Sequence, residues 1–346
     1  MQRINIISGV SVVAIAVLLC SCSSDPKNTK QTKYGQKNQV TYGREELRKQ
    51  PINFPPNYNT DNFRKLVMAV DFGNTACDGF SPEIGRAVNT RMQSEMAKIK
   101  RFSVFAVHGQ RLERIQALAD VGQAKLAETT DMKDIAIMLS GNILMTLQRK
   151  NAGRKQVLTY GLTINITCTD LKTGLVKFSK DIDAKVNKRQ TLSSSGRVIA
   201  GFNANNQKDI EQVFMDVVVL AAMKLANELG NSFPVGGRIT GMLDETLTLD
   251  KGFEQGVGGK MQMVVFTQIS GVDLPLALAE ASPGTNTSNL QIWRWNTDNQ
   301  RVQNIRKQMQ DDSAWLEKNK LYAVGYGMAK PSDWDKPMDH DLDDED

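Results

Sequence analysis

Histidine and cysteine are scarce in this chain, and their scarcity excludes much chemistry. The two histidines, His108 and His340, lie far apart, and the four cysteines form no His/Cys cluster of zinc-binding spacing. There is no Walker loop, no nucleophile elbow and no dinucleotide fingerprint. No catalytic residue, metal site or cofactor is therefore expected. Asp71 and Asp78 flank the loop after the first expected strand, and Asp170 sits at a turn. Paired carboxylates do acid–base work only in a shared cleft with their pKa values driven apart, and turn or cap roles account for all three. A dense Lys/Arg block with interleaved aromatics is also missing, at a net charge of +5 and 6% aromatic content. That excludes dedicated nucleic-acid binding. The terminal stretch Asp339–Asp346 is acidic, so the rest is more basic than the total shows, and a mildly basic face suits anionic lipid or cell-wall polymer.

One apolar run stands out, from Val10 to Leu19, broken only by Ser11. It is short for a bilayer span. With Arg3 ahead of it and Leu19-Cys20-Ser21-Cys22 behind, it has the layout of a secretory signal peptide over 1–21. The Leu-x-Ser-Cys order resembles the lipobox of bacterial lipoproteins. The resemblance implies cleavage before Cys22, which becomes the first residue and carries acyl chains. Ser23 and Ser24 stand where an inner-membrane retention signal needs Asp, which implies the periplasmic face of the outer membrane. Cys20 leaves with the signal. Cys77 and Cys168 remain, and in an oxidising compartment they either form one disulfide or stay separate thiols, with Cys168 a small buried hydrophobe in a strand.

At 346 residues the chain has room for two domains. Residues 22–62 are polar, carry Pro26, Pro51, Pro55 and Pro56, and read as a flexible tether with a short helix allowed near Arg44–Lys49. An α/β unit over 63–231 follows. Leu66–Phe72 reads as a buried strand. Ser81-Pro82-Glu83 then opens a helix whose Ile84, Val88, Met92, Met96 and Ile99 form one apolar stripe. Phe102–Val107 is a second strand, Gln110–Ala127 a second helix, and Ile135–Leu147 a strand interrupted at Ser140-Gly141-Asn142. Tyr160–Cys168 alternates as a half-buried strand, Asp170–Gly174 turns, and Leu175 starts the return. Residues 192–201 are weakly patterned. A long apolar helix runs from Ile210 to Leu229, opened by Asp209 and closed by Gly230-Asn231. Strands and helices mix without strict alternation, so the class is α/β (α+β), a mixed sheet with packed helices.

The order of these pieces resembles the periplasmic domain of the CsgG (curli secretion channel) family over roughly Phe63–Gly230, with the Asp170-x-x-Thr173-Gly174 hairpin as the best match. That fold is shared loosely with LpoB-type activators of penicillin-binding proteins. The resemblance implies an envelope lipoprotein. Family channels add two long amphipathic membrane hairpins. Here residues 147–160 offer only a short polar link, and Asp181, Asp183, Lys185, Lys188 and Arg189 spoil an apolar band in 178–209.

A small β-rich domain is expected over 232–330. Gly236–Leu243 and Thr246–Leu249 pair across Asp244-Glu245, glycines between 252 and 259 make barrel corners, and Met261–Phe266 is the next strand. The glycine pattern resembles the C-terminal β-domain of FlgT-like proteins. Ser282–Ser288 is a loop. Leu290–Trp295 alternates, which places Trp293 and Trp295 on one face, either as barrel core or as a partner contact. Gln300–Lys318 reads as a polar surface helix and Leu321–Met328 as the closing strand. The acidic tail, 331–346, is expected to be unfolded. The function expected is that of a non-enzymatic adaptor in the cell envelope. Its partners are outer-membrane lipid through acylated Cys22, envelope proteins and copies of itself. A secretion-channel component and an activator of a peptidoglycan synthase are the alternatives.

Overall fold

The computed structural model describes residues 43–60, 63–73, 75–77, 79–106, 135–171, 173–312 and 314–335. Cys22, Asp78, the helix expected at Gln110–Ala127 and the end of the acidic tail lie outside the described residues. A short helix α1 (Arg44–Arg48) leads into the mixed sheet: β1 (Leu66–Asp71), β2 (Thr75–Ala76), α2 (Pro82–Ala97), β3 (Phe102–Ala106), β4 (Ile135–Ala152), β5 (Lys155–Asp170), β6 (Leu175–Leu192), β7 (Val198–Gly201) and α3 (Gln207–Ser232). β1 lies second from one edge, between parallel neighbours β3 and β4, and antiparallel β5, β6 and β7 extend the sheet beyond β4.

The helical stripe of α2 is buried as its spacing requires: Val88, Met92 and Met96 are all fully enclosed, as is Ile99 just past its end. α3 packs on β5, β6 and α2, and its residues Val217–Met223 are all buried. Pro82 stands at the first helical position after Ser81, as expected. Elsewhere the structure departs from the pattern. β4 is not interrupted, because Ser140, Gly141 and Asn142 pair in register with Thr167, Ile166 and Asn165. The supposed link at 147–160 is the end of a hairpin whose strands run to Ala152 and from Lys155, turning at Gly153 with φ +62°. α3 is capped by Asn206, whose side chain accepts from the Lys208 N–H, and runs through Gly230 to Ser232. Gly230 is no stop; Gly327 and Met328 pack against it. Residues 198–201, within the weakly patterned stretch 192–201, form β7 against β6.

The second unit is built from β8 (Gly236–Leu243), β9 (Thr246–Leu249), β10 (Gln262–Ile269), β11 (Val272–Pro283), β12 (Ser288–Trp295) and β13 (Leu321–Gly325). These close into an antiparallel barrel in the order β10-β11-β12-β9-β8-β13. The helix α4 (Gln300–Asp311) sends Val302, Ile305 and Met309 into the barrel core and is followed by a one-turn helix α5 (Trp315–Lys318).

Two stretches read as unfolded are docked. Over 43–60 the expected tether is an arm on the outside of the barrel. Leu47 and Ile52 are buried, and Phe54 and Tyr58 stack at 4.4 Å over Phe266. Arg294 donates to the carbonyls of Leu47, Arg48 and Gln50, satisfying the open C-terminal end of α1. The acidic tail likewise begins ordered: Ser332–Asp335 makes a helical turn, and Trp334 is 1% exposed in the sheet-and-helix core.

Candidate partner-binding surfaces

The outer face of the sheet follows from strand alternation. Leu158, Tyr160, Leu162, Ile164 and Ile166 point to the helices and are buried, so Thr159, Thr163, Asn165 and Thr167 point away. β6 does the same, and directly opposed residues bond across the strands: Thr159–Asn187 at 2.6 Å, Asn165–Asp181 at 2.6 Å and Thr167–Ser179 at 3.0 Å. Near the end of β1 this face sinks into a cleft of about 340 Å³. Asp71, Ser140, Asn142, Asn165, Ser179 and Asp181 line it. Gly73, at φ +49°, brings its backbone against Asn142, where a Cβ would lie 2.7 Å from Oδ1. The cleft offers amides, hydroxyls and carboxylates, suited to hydrogen-bonding a polar partner. Sequence reading missed it, although the Thr/Asn/Asp alternation on paired strands was its signal.

Asp71 and Asp170 stand at turns, as expected. The Asp71 carboxylate accepts from the Gly73 N–H at 3.0 Å, and Asp170 accepts from the Thr173 N–H at 3.3 Å and pairs with Lys177 at 3.6 Å. Among the described residues no group of three or more metal-ligating side chains comes together.

The two tryptophans do not share a face. A bulge on β12 at Trp293, facing the Leu278–Ala279 step of β11, leaves Trp293 without a register partner and reverses the alternation. Trp293 lies outside the barrel among the arm contacts, with Arg44 4.9 Å from its ring and its Nε1 donating to Gln262 at 2.8 Å. Trp295 turns inward against the barrel core and lines a groove of about 310 Å³ with Val302, Gln303, Arg306 and Lys307. Its Nε1 donates to Glu245 at 3.3 Å, and Arg306 sits 5.0 Å from its ring while pairing with Glu245 at 3.0 Å. Of the pair, Trp295 is the one beside an open groove.

The disulfide is absent: Cys77 and Cys168 are both free. Cys77 fits against α2 where Gly85 leaves room, since a Cβ there would lie 2.3 Å from its sulfur. Cys168 is fully buried, and burial pushes its thiol up to about 12.

Among the described residues the buried charged side chains are Glu95 and Arg101, and both are partnered within the fold. Glu95 is enclosed with Arg91, Lys98 and the indole N–H of Trp334 at 2.6, 2.8 and 2.7 Å. Arg101, 1% exposed, donates to the carbonyls of Arg64, Phe233 and Pro234, and burial lowers its pKa to about 10. Gly256, in the left-handed region at φ +94°, lets the barrel's glycine turn close on the Arg101 backbone, 3.0 Å from where a Cβ would sit. The glycines read as barrel corners thus include one that joins the barrel to the sheet unit.

No family model and no curated protein matches the chain. Solved structures overlap it in part. A PelC dodecamer from Paraburkholderia phytofirmans is 14% identical, at a TM-score of 0.24 over 46% of this chain and 87% of that one. The lipoprotein GNA1162 from Neisseria meningitidis is 11% identical, at 0.23 over 44% and 95%. The hypothetical protein CT253 from Chlamydia trachomatis is 11% identical, at 0.24 over 46% and 96%.

Proposed function

We propose that the chain is an envelope lipoprotein, held by acyl groups on Cys22 at the periplasmic face of the outer membrane, that works as a non-enzymatic adaptor. The observation that carries the adaptor reading is the outer face of β5 and β6. Its side chains are fixed by cross-strand hydrogen bonds, and its cleft combines carboxylates, amides and hydroxyls with Lys180 beside them. A pre-ordered polar surface binds without a large ordering cost. Its partners are envelope proteins, copies of this chain included.

A photo-crosslinking residue at Asn165 tests this in intact cells. A discrete protein adduct at Asn165, absent when the probe sits at exposed Glu317, supports the adaptor; the same adduct pattern at both positions contradicts it. The channel alternative draws on the 18-residue lengths of β4 and β6, which exceed the roughly 9–11 residues a membrane strand needs. A lipid-facing band must be apolar, however, and Lys185, Asn187 and Arg189 occupy one face of β6 while Lys188 interrupts the other. Steady conductance in planar bilayers would restore the channel reading.

A further inference from the structure

The far end of the sheet, away from the Asp170–Gly174 turn, is a cationic tip. Residues 147–160 hold Arg149, Lys150, Arg154 and Lys155 and no carboxylate; all four are exposed. Residues 184–202 hold Lys185, Lys188, Arg189 and Arg197, again with no carboxylate. Register brings the two sets together, since Val157 opposes Arg189 and Leu158 opposes Lys188, while Lys150 opposes Val157 on the other side. The cations occupy both faces, because Arg149 and Lys150 are neighbours on one strand. The end is stiffened by Gln156, which donates to Asn151 at 2.7 Å and accepts from Gln190. Beside the cations, β7 holds out Ile199, 62% exposed, next to half-buried Val198.

We propose that this tip binds the anionic headgroup layer of a membrane. Clustered Lys and Arg gain from the negative surface potential of anionic lipid, and an apolar side chain set among them enters the headgroup–acyl boundary. An acidic protein or polymer would use the cations and leave Ile199 idle. Exposed aromatics for stacking on bases are missing from both segments, which removes nucleic acid. Binding is peripheral, because charge on both faces forbids insertion as a spanning hairpin.

The test uses the full chain and needs no acyl anchor. Protein is mixed with an excess of phosphatidylcholine vesicles, or of vesicles in which about a third of the lipid is phosphatidylglycerol, and trypsin cutting is mapped by mass. The rate after Arg154 and Arg197 is taken relative to exposed Lys260 in the barrel, so that attraction of trypsin itself cancels. The relative rate at the tip is expected to fall about tenfold with anionic vesicles alone and to recover in roughly 0.5 M salt. Polyglutamate should protect less than the anionic vesicles. The exposed substitution Ile199→Ser should weaken protection by vesicles but not by polyglutamate. Equal relative rates on both vesicle types overturn the proposal, and polyglutamate protecting as well as vesicles overturns the lipid assignment. Flotation with neutral vesicles scores the acyl anchor separately.

Discussion

Cys168 shows what single side chains contribute. Its neighbours along β5 face the same core, so the thiol is a packing group, and burial followed by the nearby Asp170 carboxylate raises it from 9.0 to about 12. Tyr160, in the same core, rises from 10.0 to about 12 through burial. For an acid whose folded pKa is raised, the native state holds more protons across the gap, so stability is full below pH 9 and falls as pH climbs towards 12. Alkaline unfolding of Cys168→Ala should show a shallower decline over that window than the parent. Thiol labelling should reach Cys77 in the native protein and Cys168 only on unfolding; native labelling of both at one rate, or a bonded pair, would contradict the packing. That Cys168 is a buried strand residue was legible from its alternation with Ile164 and Ile166. That it makes no bond to Cys77 was not, because pairing depends on where Gly85 lets Cys77 sit.

Elements were legible where local chemistry fixes them and obscure where a distant surface does. Pro82 after Ser81 and the stripe from Ile84 to Ile99 marked α2 without outside help. Ser140-Gly141-Asn142 looks like a break in β4 because polar residues resemble a turn, yet on a strand whose outer face meets water they are ordinary. The bulge that separates Trp293 from Trp295 leaves no mark in either residue. The arm at 43–60 has few apolar residues and no period, but its receptor did leave a trace: Met263-Val264-Val265-Phe266 is apolar on consecutive positions, as a strand covered on both faces must be. Arg294→Ala removes three bonds to the end of α1 and should free the arm. Cleavage by trypsin after Arg48 and Lys49 is expected to speed up by about 5- to 100-fold, for a local loss of about 1–3 kcal/mol, while the barrel melts nearly as before. An unchanged cleavage rate would mean the arm is held by its aromatics alone.

Over the whole molecule, the sheet unit and the barrel meet at Arg101. Its guanidinium ties Arg64, Phe233 and Pro234 together at the crossing, Gly256 closes over its backbone, and Lys100 pairs with Glu254 at 3.1 Å. Arg101→Met leaves those carbonyls with fewer donors and should cost about 2–3 kcal/mol. The melt should then split into two transitions, where the parent gives one; a single transition at an unchanged temperature would show that the junction does not couple the halves. None of this junction was readable beforehand, since Lys100-Arg101 looks like any exposed basic pair in a linear chain.

In the proposed function, acyl groups on Cys22 hold this body to a membrane. Cells making the parent or Cys22→Ala are grown with radiolabelled palmitate, and the protein is recovered and fractionated. Label in the parent, none in Cys22→Ala and a parent that sediments with outer membranes are the expected result. Palmitate still entering Cys22→Ala, or a parent free of membranes, would contradict the account.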